Sequence, residues 1–136
     1  MGSLSQSESI LASLPADMRS SAAALLAMAK EDYPAALEMY NSLCHENPHN
    51  STFSSNLALT HLYNADAQSG ISTLEPLVKG NNAQLGALPQ AVYNLCTMYE
   101  IRDDKARSKK EEIMETVVSQ YGDVCGKSHF KLDSLR

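Results

Sequence analysis

The sequence lacks tryptophan, is poor in other aromatic residues and contains no long hydrophobic run. Aromatic residues make up 6% of its 136 residues, whereas alanine, leucine, methionine, glutamate and serine are abundant. Because β-branched runs are nearly absent as well, this composition favours helices over strands. No stretch approaches the ~18 consecutive apolar residues of a membrane-spanning helix, and the N-terminus lacks the apolar core of a secretory signal. We therefore expect a helical protein with no membrane insertion.

Cysteine is scarce, and the charge balance is acidic. The three cysteines, Cys44, Cys96 and Cys125, form no CxxC pair, and their odd number does not fit a disulfide framework. Cys44 and Cys96 fall within apolar helical patterns, where a thiol behaves as a small hydrophobic group. These features predict a reducing compartment and therefore a cytoplasmic protein. The formal net charge of −5 argues against nucleic acid or an anionic membrane as the main partner.

Catalytic and cofactor-binding motifs are missing from the sequence. It has no glycine-rich phosphate loop and no Ser/His/Asp set in a local context. We therefore expect no enzymatic activity, no cofactor and no small-molecule substrate. Cys44, His45 and His49 superficially resemble metal ligands, but no fourth ligand is near and Asn47-Pro48 interrupts the helix between them. We prefer a buried cysteine beside solvated histidines and no bound metal, and an enzyme or metal protein that uses these three residues is the alternative.

A repeat of thirty-four residues organises the first half of the chain. Residues 22–48 show a helix–turn–helix pattern in which Asp32 is placed to cap the second helix, Pro34 suits its first turn and Asn47-Pro48 ends it. Thirty-four residues is the period of the tetratricopeptide repeat (TPR). The pattern therefore predicts an all-α, TPR-like right-handed solenoid of about three helix pairs. One step of the repeat relates Ala24 to Ala58, Ala36 to Gly70, Tyr40 to Leu74, and Leu43 to Leu77.

The third helix pair departs from this period. Leu95 in its first helix follows Leu57 by thirty-eight residues, so residues 80–86 are predicted to begin a lengthened loop. Its second helix is predicted to run roughly over residues 105–120 and to end at Gly122, as a terminal capping unit. In the second pair, Pro76 predicts a kink or an early helix end. The predicted buried residues of the last helix are Ala106, Ile113, Met114, Val117 and Val118.

The domain organisation and one charged segment complete the local predictions. Residues 1–16 are expected to form an N-terminal tail or short helix, and residues 17–136 the TPR-like helical repeat domain. A basic run from Lys105 to Lys110 is followed by three glutamates, so pairs such as Arg107 with Glu111 are available four residues apart. We interpret this run as a solvated helix face. A basic patch for an acidic partner is the alternative.

The first helix of each pair lines the concave side of such a solenoid, where another protein commonly binds. Asn56 and Asn94 occupy equivalent first-helix positions, and an amide can pair with the backbone of a bound peptide. The cations that clamp a terminal carboxylate in chaperone-binding TPR domains are missing here. A helix or an internal segment of a partner subunit is therefore the expected ligand. The predicted partner-binding groove consists of Leu25, Ser55, Asn56, Leu59, Tyr63, Tyr93, Asn94 and Thr97.

Two first-helix segments also carry a family resemblance. Residues 56–63 and 94–100, with the basic residues 108–110 and a tail over residues 130–132, resemble the C-terminal TPR region of the TRAPP complex subunit 12 family. The resemblance covers roughly residues 20–132. It implies a non-catalytic scaffold that docks onto other subunits of the TRAPP tethering complex, in vesicle transport between endoplasmic reticulum and Golgi. It also implies a peripheral location at those membranes through the complex. A TPR adaptor of another multiprotein complex is the alternative.

Overall fold

The described part of the chain is helical throughout. The structure is a computed structural model that describes residues 2–80, 87–102, 105–122 and 127–131, and no β-strand occurs within these ranges. The prediction of an all-helical fold is therefore confirmed. A short 3-10 helix, Lys127–Phe130, follows seven α-helices: α1 (Gly2–Ser13), α2 (Ala16–Ala29), α3 (Tyr33–Glu46), α4 (Ser51–Tyr63), α5 (Ala67–Lys79), α6 (Leu88–Arg102) and α7 (Ala106–Tyr121).

The turn between α2 and α3 and the turn between α4 and α5 have the same geometry. Each contains one non-glycine residue in the left-handed region, Glu31 or Ala65, both with a φ of 61°. In each turn the amide of the following aspartate donates to the carbonyl five residues earlier, at 2.9 Å in both cases. This is the closing hydrogen bond of a Schellman motif. Because the two turns are thirty-four residues apart, the period predicted from the sequence is present in the backbone.

Asp32 and Asp66 cap the helices that follow these turns. Oδ1 of Asp32 accepts from the backbone amide of Ala35 at 3.3 Å, and Oδ1 of Asp66 accepts from that of Ser69 at 3.1 Å. The Ser69 hydroxyl also donates to Asp66 Oδ2 at 2.6 Å. The bonds from the Ser69 side chain and backbone lower the pKa of Asp66, because they stabilise the ionised carboxylate. The predicted cap at Asp32 is confirmed.

Small residues lie where the helices approach most closely. Ala24, Ala36 and Ala58 are fully buried. A Cβ atom added to Gly70 would lie 2.8 Å from Sδ of Met98 and 3.0 Å from the carbonyl oxygen of Ala58. Gly70 on α5 therefore touches both α4 and α6, and it follows Ala36 by one step of the repeat. A larger side chain at either position has no room.

Replacing Ala36 by leucine should overpack the contact between α2, α3 and α4 and lower the free energy of unfolding by about 1–3 kcal/mol. Ala36 is buried in an apolar cluster that includes Ala24, Tyr40 and Leu57. Thermal unfolding followed by circular dichroism should show a lower midpoint. The matched control is Glu38→Leu, an exposed position on the same helix, which should leave the midpoint nearly unchanged. An unchanged midpoint for Ala36→Leu would contradict the packing described here.

The core is divided into two apolar clusters, and each helix packs mainly against its neighbours in sequence. One cluster joins α2, α3 and α4 around Tyr40. The other joins α4 to α7 and also takes in Phe130, which follows α7. The Tyr99 hydroxyl donates to Oε1 of Glu75 at 2.6 Å and ties α6 to α5. Burial, and then this bond to the Glu75 carboxylate, raise the pKa of Tyr99 far above its ordinary value.

Most predicted helix boundaries agree with the structure. The helix expected over residues 105–120 is Ala106–Tyr121, and Gly122 ends it with a φ of 69°. The predicted N-terminal short helix is α1, and Leu14 and Pro15 separate it from α2. The early end expected at Pro76 is wrong, because α5 continues to Lys79. Water can satisfy the carbonyl that loses its partner, since Pro76 and Ser72 are both exposed. Residues 81–86 of the predicted loop lie outside the described residues.

Helix α7 turns most of its predicted residues to the core, since Ile113 and Val117 are buried and Ala106 and Met114 pack partly buried against the same cluster, but two positions differ from the prediction. Lys110 is fully buried beside Ile113 and Val117, whereas Val118 is 46% exposed. The interpretation of the basic run as a solvated face is therefore wrong for Lys110, which is also unavailable to an acidic partner. The reason is helical spacing, which places Lys110, Ile113 and Val117 on one side of the helix. The pair expected between Arg107 and Glu111 is confirmed, with Nε and Oε1 3.1 Å apart.

Candidate functional site

Helix α4 contacts both of the other helices predicted to line a groove, α2 and α6. Oγ1 of Thr60 on α4 donates to Sδ of Met28 on α2 at 3.2 Å, and α4 also packs against α6. Five of the eight large apolar side chains that are exposed in the described residues lie on these three helices. We call these five side chains together the first-helix surface. Its exposed apolar residues are Met18, Leu25, Tyr63, Tyr93 and Ile101.

The residues of the predicted groove differ in how much surface they present. Leu25, Tyr63 and Tyr93 are 54%, 56% and 42% exposed. Ser55 is only 9% exposed, and its hydroxyl has no hydrogen-bond partner within the described residues. Ser55 therefore offers little surface to a partner. The remaining predicted groove residues, Asn56, Leu59, Asn94 and Thr97, are half-buried.

Tyr63 and Asn56 lie on the side of α4 that faces α3. The Tyr63 ring stacks on Tyr33 with centroids 5.5 Å apart and ring planes inclined by 12°. Burial raises the pKa of Tyr40, and the neighbouring Asn56 side chain partly opposes this rise. No hydrogen bond of ordinary geometry reaches the Tyr40 hydroxyl within the described ranges, so Asn56 lies beside it without a close bond. The structure thus brings Tyr63 and Asn56 to the junction between α3 and α4.

Asn94 has different neighbours from Asn56, although the two were predicted to be equivalent. Its Oδ1 atom accepts from Nε2 of Gln90, one turn earlier on α6, at 2.9 Å. The two asparagines therefore use their amides within the protein in different ways, one beside a tyrosine of another helix and one within its own helix.

Residues 127–131, here called the C-terminal segment, pack against α6. Phe130 is 1% exposed and belongs to the core. Nζ of Lys131 lies 5.2 Å from the centroid of the Tyr93 ring, 3.3 Å from Oγ1 of Thr97 and 2.7 Å from Oε2 of Glu100. Two residues of the predicted groove, Tyr93 and Thr97, are therefore brought together with a carboxylate and a lysine of the same chain.

Glu100 connects this part of the surface to the buried Lys110. Nζ of Lys110 lies 2.5 Å from Oε1 of Glu100 and 3.5 Å from the carbonyl oxygen of Lys131. Burial acts to raise the pKa of Glu100, but the hydrogen bonds and charges of Lys110 and Lys131 outweigh it and lower the pKa. Glu100 therefore stays ionised and links α6, α7 and the C-terminal segment.

Reasoning from the sequence missed Glu100, Lys110 and Lys131 as members of this site. Glu100 follows Tyr93 by two helical turns and Thr97 by three residues, so the spacing alone places all three on one face. That signal was present in the sequence. The position of Lys131 was not, because it depends on how the chain returns after α7.

The three residues considered for metal binding or catalysis, Cys44, His45 and His49, differ in their burial. Cys44 is half-buried, and burial raises the pKa of its thiol while Ser54 partly opposes the rise. His45 and His49 are exposed. In the ranges that the structure describes, no three His, Cys, Asp or Glu side chains come close enough together to hold a metal ion. The helices of those ranges also lack the combination of length and hydropathy that is needed to cross a membrane.

This fold, an all-helical chain whose helices pack on their sequence neighbours, is consistent with a helical-repeat solenoid. The chain is distantly related to trafficking protein particle complex subunit 12 of Mus musculus, with 27% identity over 101 residues, and to that of Homo sapiens, with 26% over 101 residues. The aligned residues are 74% of this chain but only 12% and 14% of those relatives. No protein-family model matches the chain. No solved structure matches it either.

Proposed function

We propose that residues 17–136 form a TPR-like right-handed solenoid of three helix pairs, α2–α3, α4–α5 and α6–α7, that binds other proteins and has no catalytic role. The thirty-four-residue recurrence of turn geometry at Glu31 and Ala65 supports this arrangement. The burial of small residues at Ala36 and Gly70, one repeat apart, supports it as well. In this proposal α1 precedes the first pair and is not part of a repeat.

The observation that carries the proposed binding role is the row of exposed apolar side chains along α2, α4 and α6. Leu25, Tyr63 and Tyr93 each present a large part of their surface to solvent on adjacent helices. Exposed apolar side chains that form a contiguous patch mark a protein-interaction site, and we propose that these side chains form such a patch. Aromatic side chains are also frequent among the residues that dominate binding energy. The proposed ligand is a helix or an internal segment of a partner subunit, which would lie along this surface.

The distant relationship to subunit 12 of the trafficking protein particle complex supports a more specific role. We infer that the chain is a scaffold piece of a TRAPP tethering complex in transport between endoplasmic reticulum and Golgi. It would be cytoplasmic and held at those membranes through the complex. Affinity purification of the tagged chain from its own organism, followed by mass spectrometry, tests this role. Recovery of several TRAPP subunits supports it, and their absence, with other proteins enriched instead, favours an adaptor of another complex.

The double change Leu25→Ala and Tyr63→Ala should weaken binding of the recovered partner at least about tenfold, which corresponds to about 1.4 kcal/mol. Both side chains are more than half exposed, so their removal costs contacts with a partner rather than core packing. The dissociation constant would be measured by calorimetry with the purified partner. Circular dichroism should stay helical, since both side chains are more than half exposed and the changes remove surface contacts such as the stacking of Tyr63 on Tyr33.

Val118→Ala is the matched control for this pair of changes. Val118 is an exposed apolar residue on α7, away from the first-helix surface, and its loss should leave binding unchanged. If the folded double variant bound as tightly as the original chain, the interface would not be the first-helix surface. A stronger effect from Val118→Ala would move the interface to α7.

A further inference from the structure

We propose that the face of α6 formed by Tyr93, Thr97 and Glu100 is a recognition site for a lysine or arginine side chain of the partner protein. In the free chain, Lys131 occupies this site. The inference rests on the proposed function, because it specifies the chemistry of the segment that binds to the first-helix surface. It adds a charged anchor to a surface that is otherwise apolar.

The site combines three groups that each favour a cation. The Glu100 carboxylate supplies a charge-assisted hydrogen bond, with Oε2 2.7 Å from Nζ of Lys131. The Thr97 hydroxyl supplies a second oxygen at 3.3 Å. The Tyr93 ring presents its electron-rich face 5.2 Å away, within the range of a cation–π interaction. Together these groups surround an ammonium or guanidinium from several sides.

The carboxylate of the site is held in place whether or not Lys131 is present. Lys110 binds the other oxygen of Glu100, Oε1, at 2.5 Å and is itself fully buried. A buried lysine keeps its partner carboxylate because separating them would leave a charge without solvent. When Lys131 moves away, Glu100 therefore still directs Oε2 to the surface, and an incoming cation finds a preformed acceptor.

The position of Lys131 allows its side chain to leave the site and be replaced by the side chain of a partner. Phe130 is buried in the core and fixes the C-terminal segment, so only the lysine side chain has to move. The backbone of Lys131 has a φ of 56°, a left-handed conformation that is unfavourable for a residue with a side chain. The contacts of the Lys131 side chain with α6 therefore offset the conformational free energy that this backbone geometry costs. The side chain remains partly exposed, so solvent and a competing cation can reach it.

The exposed apolar side chains of α6 indicate which partner segment fits. Tyr93 belongs both to the cation site and to the first-helix surface. A partner helix that covers Tyr93 with an apolar side chain can place one basic side chain at Glu100. The chain itself carries a net charge of −5, which also favours a basic segment over an acidic one.

The test uses the full chain with Lys131→Ala, which empties the site and keeps Phe130. The probe is the capped tripeptide Gly-Lys-Gly, and the matched probe has norleucine in place of lysine. Chemical shifts of the Tyr93 and Thr97 amides would be followed by nuclear magnetic resonance during titration. We expect saturable shifts with the lysine peptide only. The unchanged chain should bind it about tenfold more weakly, because Lys131 competes for the site.

Glu100→Gln in the Lys131→Ala background should abolish the shifts, and Glu111→Gln, an exposed carboxylate on α7, should not. Since Glu100→Gln also affects the buried Lys110, Tyr93→Leu provides a second variant that removes only the aromatic face and should weaken binding. Equal shifts with the norleucine peptide, or none with the lysine peptide, would overturn the cation site. Equal binding to the unchanged chain would overturn competition by Lys131. None of these results affects the test of Leu25 and Tyr63, so the two proposals can fail separately.

Discussion

Replacing Glu100 by alanine should lower the free energy of unfolding by about 3–5 kcal/mol, because the change leaves Lys110 buried without a carboxylate. Lys110 is 0% exposed, and Oε1 of Glu100 lies 2.5 Å from its Nζ. The same change removes the contact of Glu100 with Lys131 in the C-terminal segment. Urea unfolding followed by circular dichroism measures the effect. A loss below about 1 kcal/mol would mean that Lys110 reaches solvent by turning out of the core.

The double change Glu100→Ala and Lys110→Met is the control that isolates the buried charge. Methionine fills a similar volume without a charge, so the double variant should recover most of the stability lost by Glu100→Ala alone. If the double variant were as unstable as the single one, the loss would come from packing or from Lys131 and not from an uncompensated lysine.

The pH dependence of this ion cluster has a definite sign. The pKa of Glu100 is lowered in the folded state, so the unfolded state binds its proton more readily. The stabilisation is therefore fully present above the ordinary glutamate pKa of about 4.3 and is lost as the pH falls through the lowered folded value. The difference in stability between the unchanged chain and Glu100→Gln should shrink over that acidic range. A difference that stayed constant there would contradict the assignment.

Replacing Phe130 by alanine should cost about 3–5 kcal/mol, the usual range for removing a buried aromatic ring. Phe130 is 1% exposed and lies in the same apolar cluster as Leu95, Ile113 and Val117. Its loss should also release the C-terminal segment from α6. Hydrogen exchange by mass spectrometry should then show faster exchange in residues 127–131, together with a lower unfolding midpoint.

Val118→Ala serves as the control for Phe130→Ala. It also removes apolar atoms near the end of the chain, but from an exposed side chain on α7, so it should change stability by less than about 0.5 kcal/mol. A small effect of Phe130→Ala would show that α6 and α7 keep their packing without the C-terminal segment. In that case Lys131 would not be positioned by Phe130.

The helices and the repeat could be predicted because their signals are local. Asp32 caps α3 through its own side chain and the amide of Ala35, and Asn47 follows the last residue of the same helix. The spacing from Ala36 to Gly70 reflects the need for small residues at close helix contacts. Pro76 shows the limit of such rules, because its effect on a helix depends on whether water reaches the released carbonyl.

The candidate site was predicted only in part. Helical spacing identified Leu25, Tyr63 and Tyr93 as exposed positions, and the structure places them at the surface. Spacing did not reveal that Ser55 is buried or that Asn56 lies beside Tyr40, because both depend on how α3 turns its side chains toward α4. Successive residues of a helix point in different directions, so an assignment that is wrong by one residue places a side chain in the groove when it lies at the contact between two helices.

The sequence by itself determined the helical class, most of the helix ends and the thirty-four-residue spacing of the turns, since these follow from hydrogen bonds and contacts between residues close in the chain. Only the tertiary structure decided which charged residues are buried and which remain at the surface. Lys110 is fully buried, whereas the side chain of Lys131 packs on α6 and stays partly exposed. A charged lysine is buried at a small cost in stability where a carboxylate meets it. For Lys110 that carboxylate is Glu100, ten residues earlier and on the preceding helix, and no local pattern joins the two.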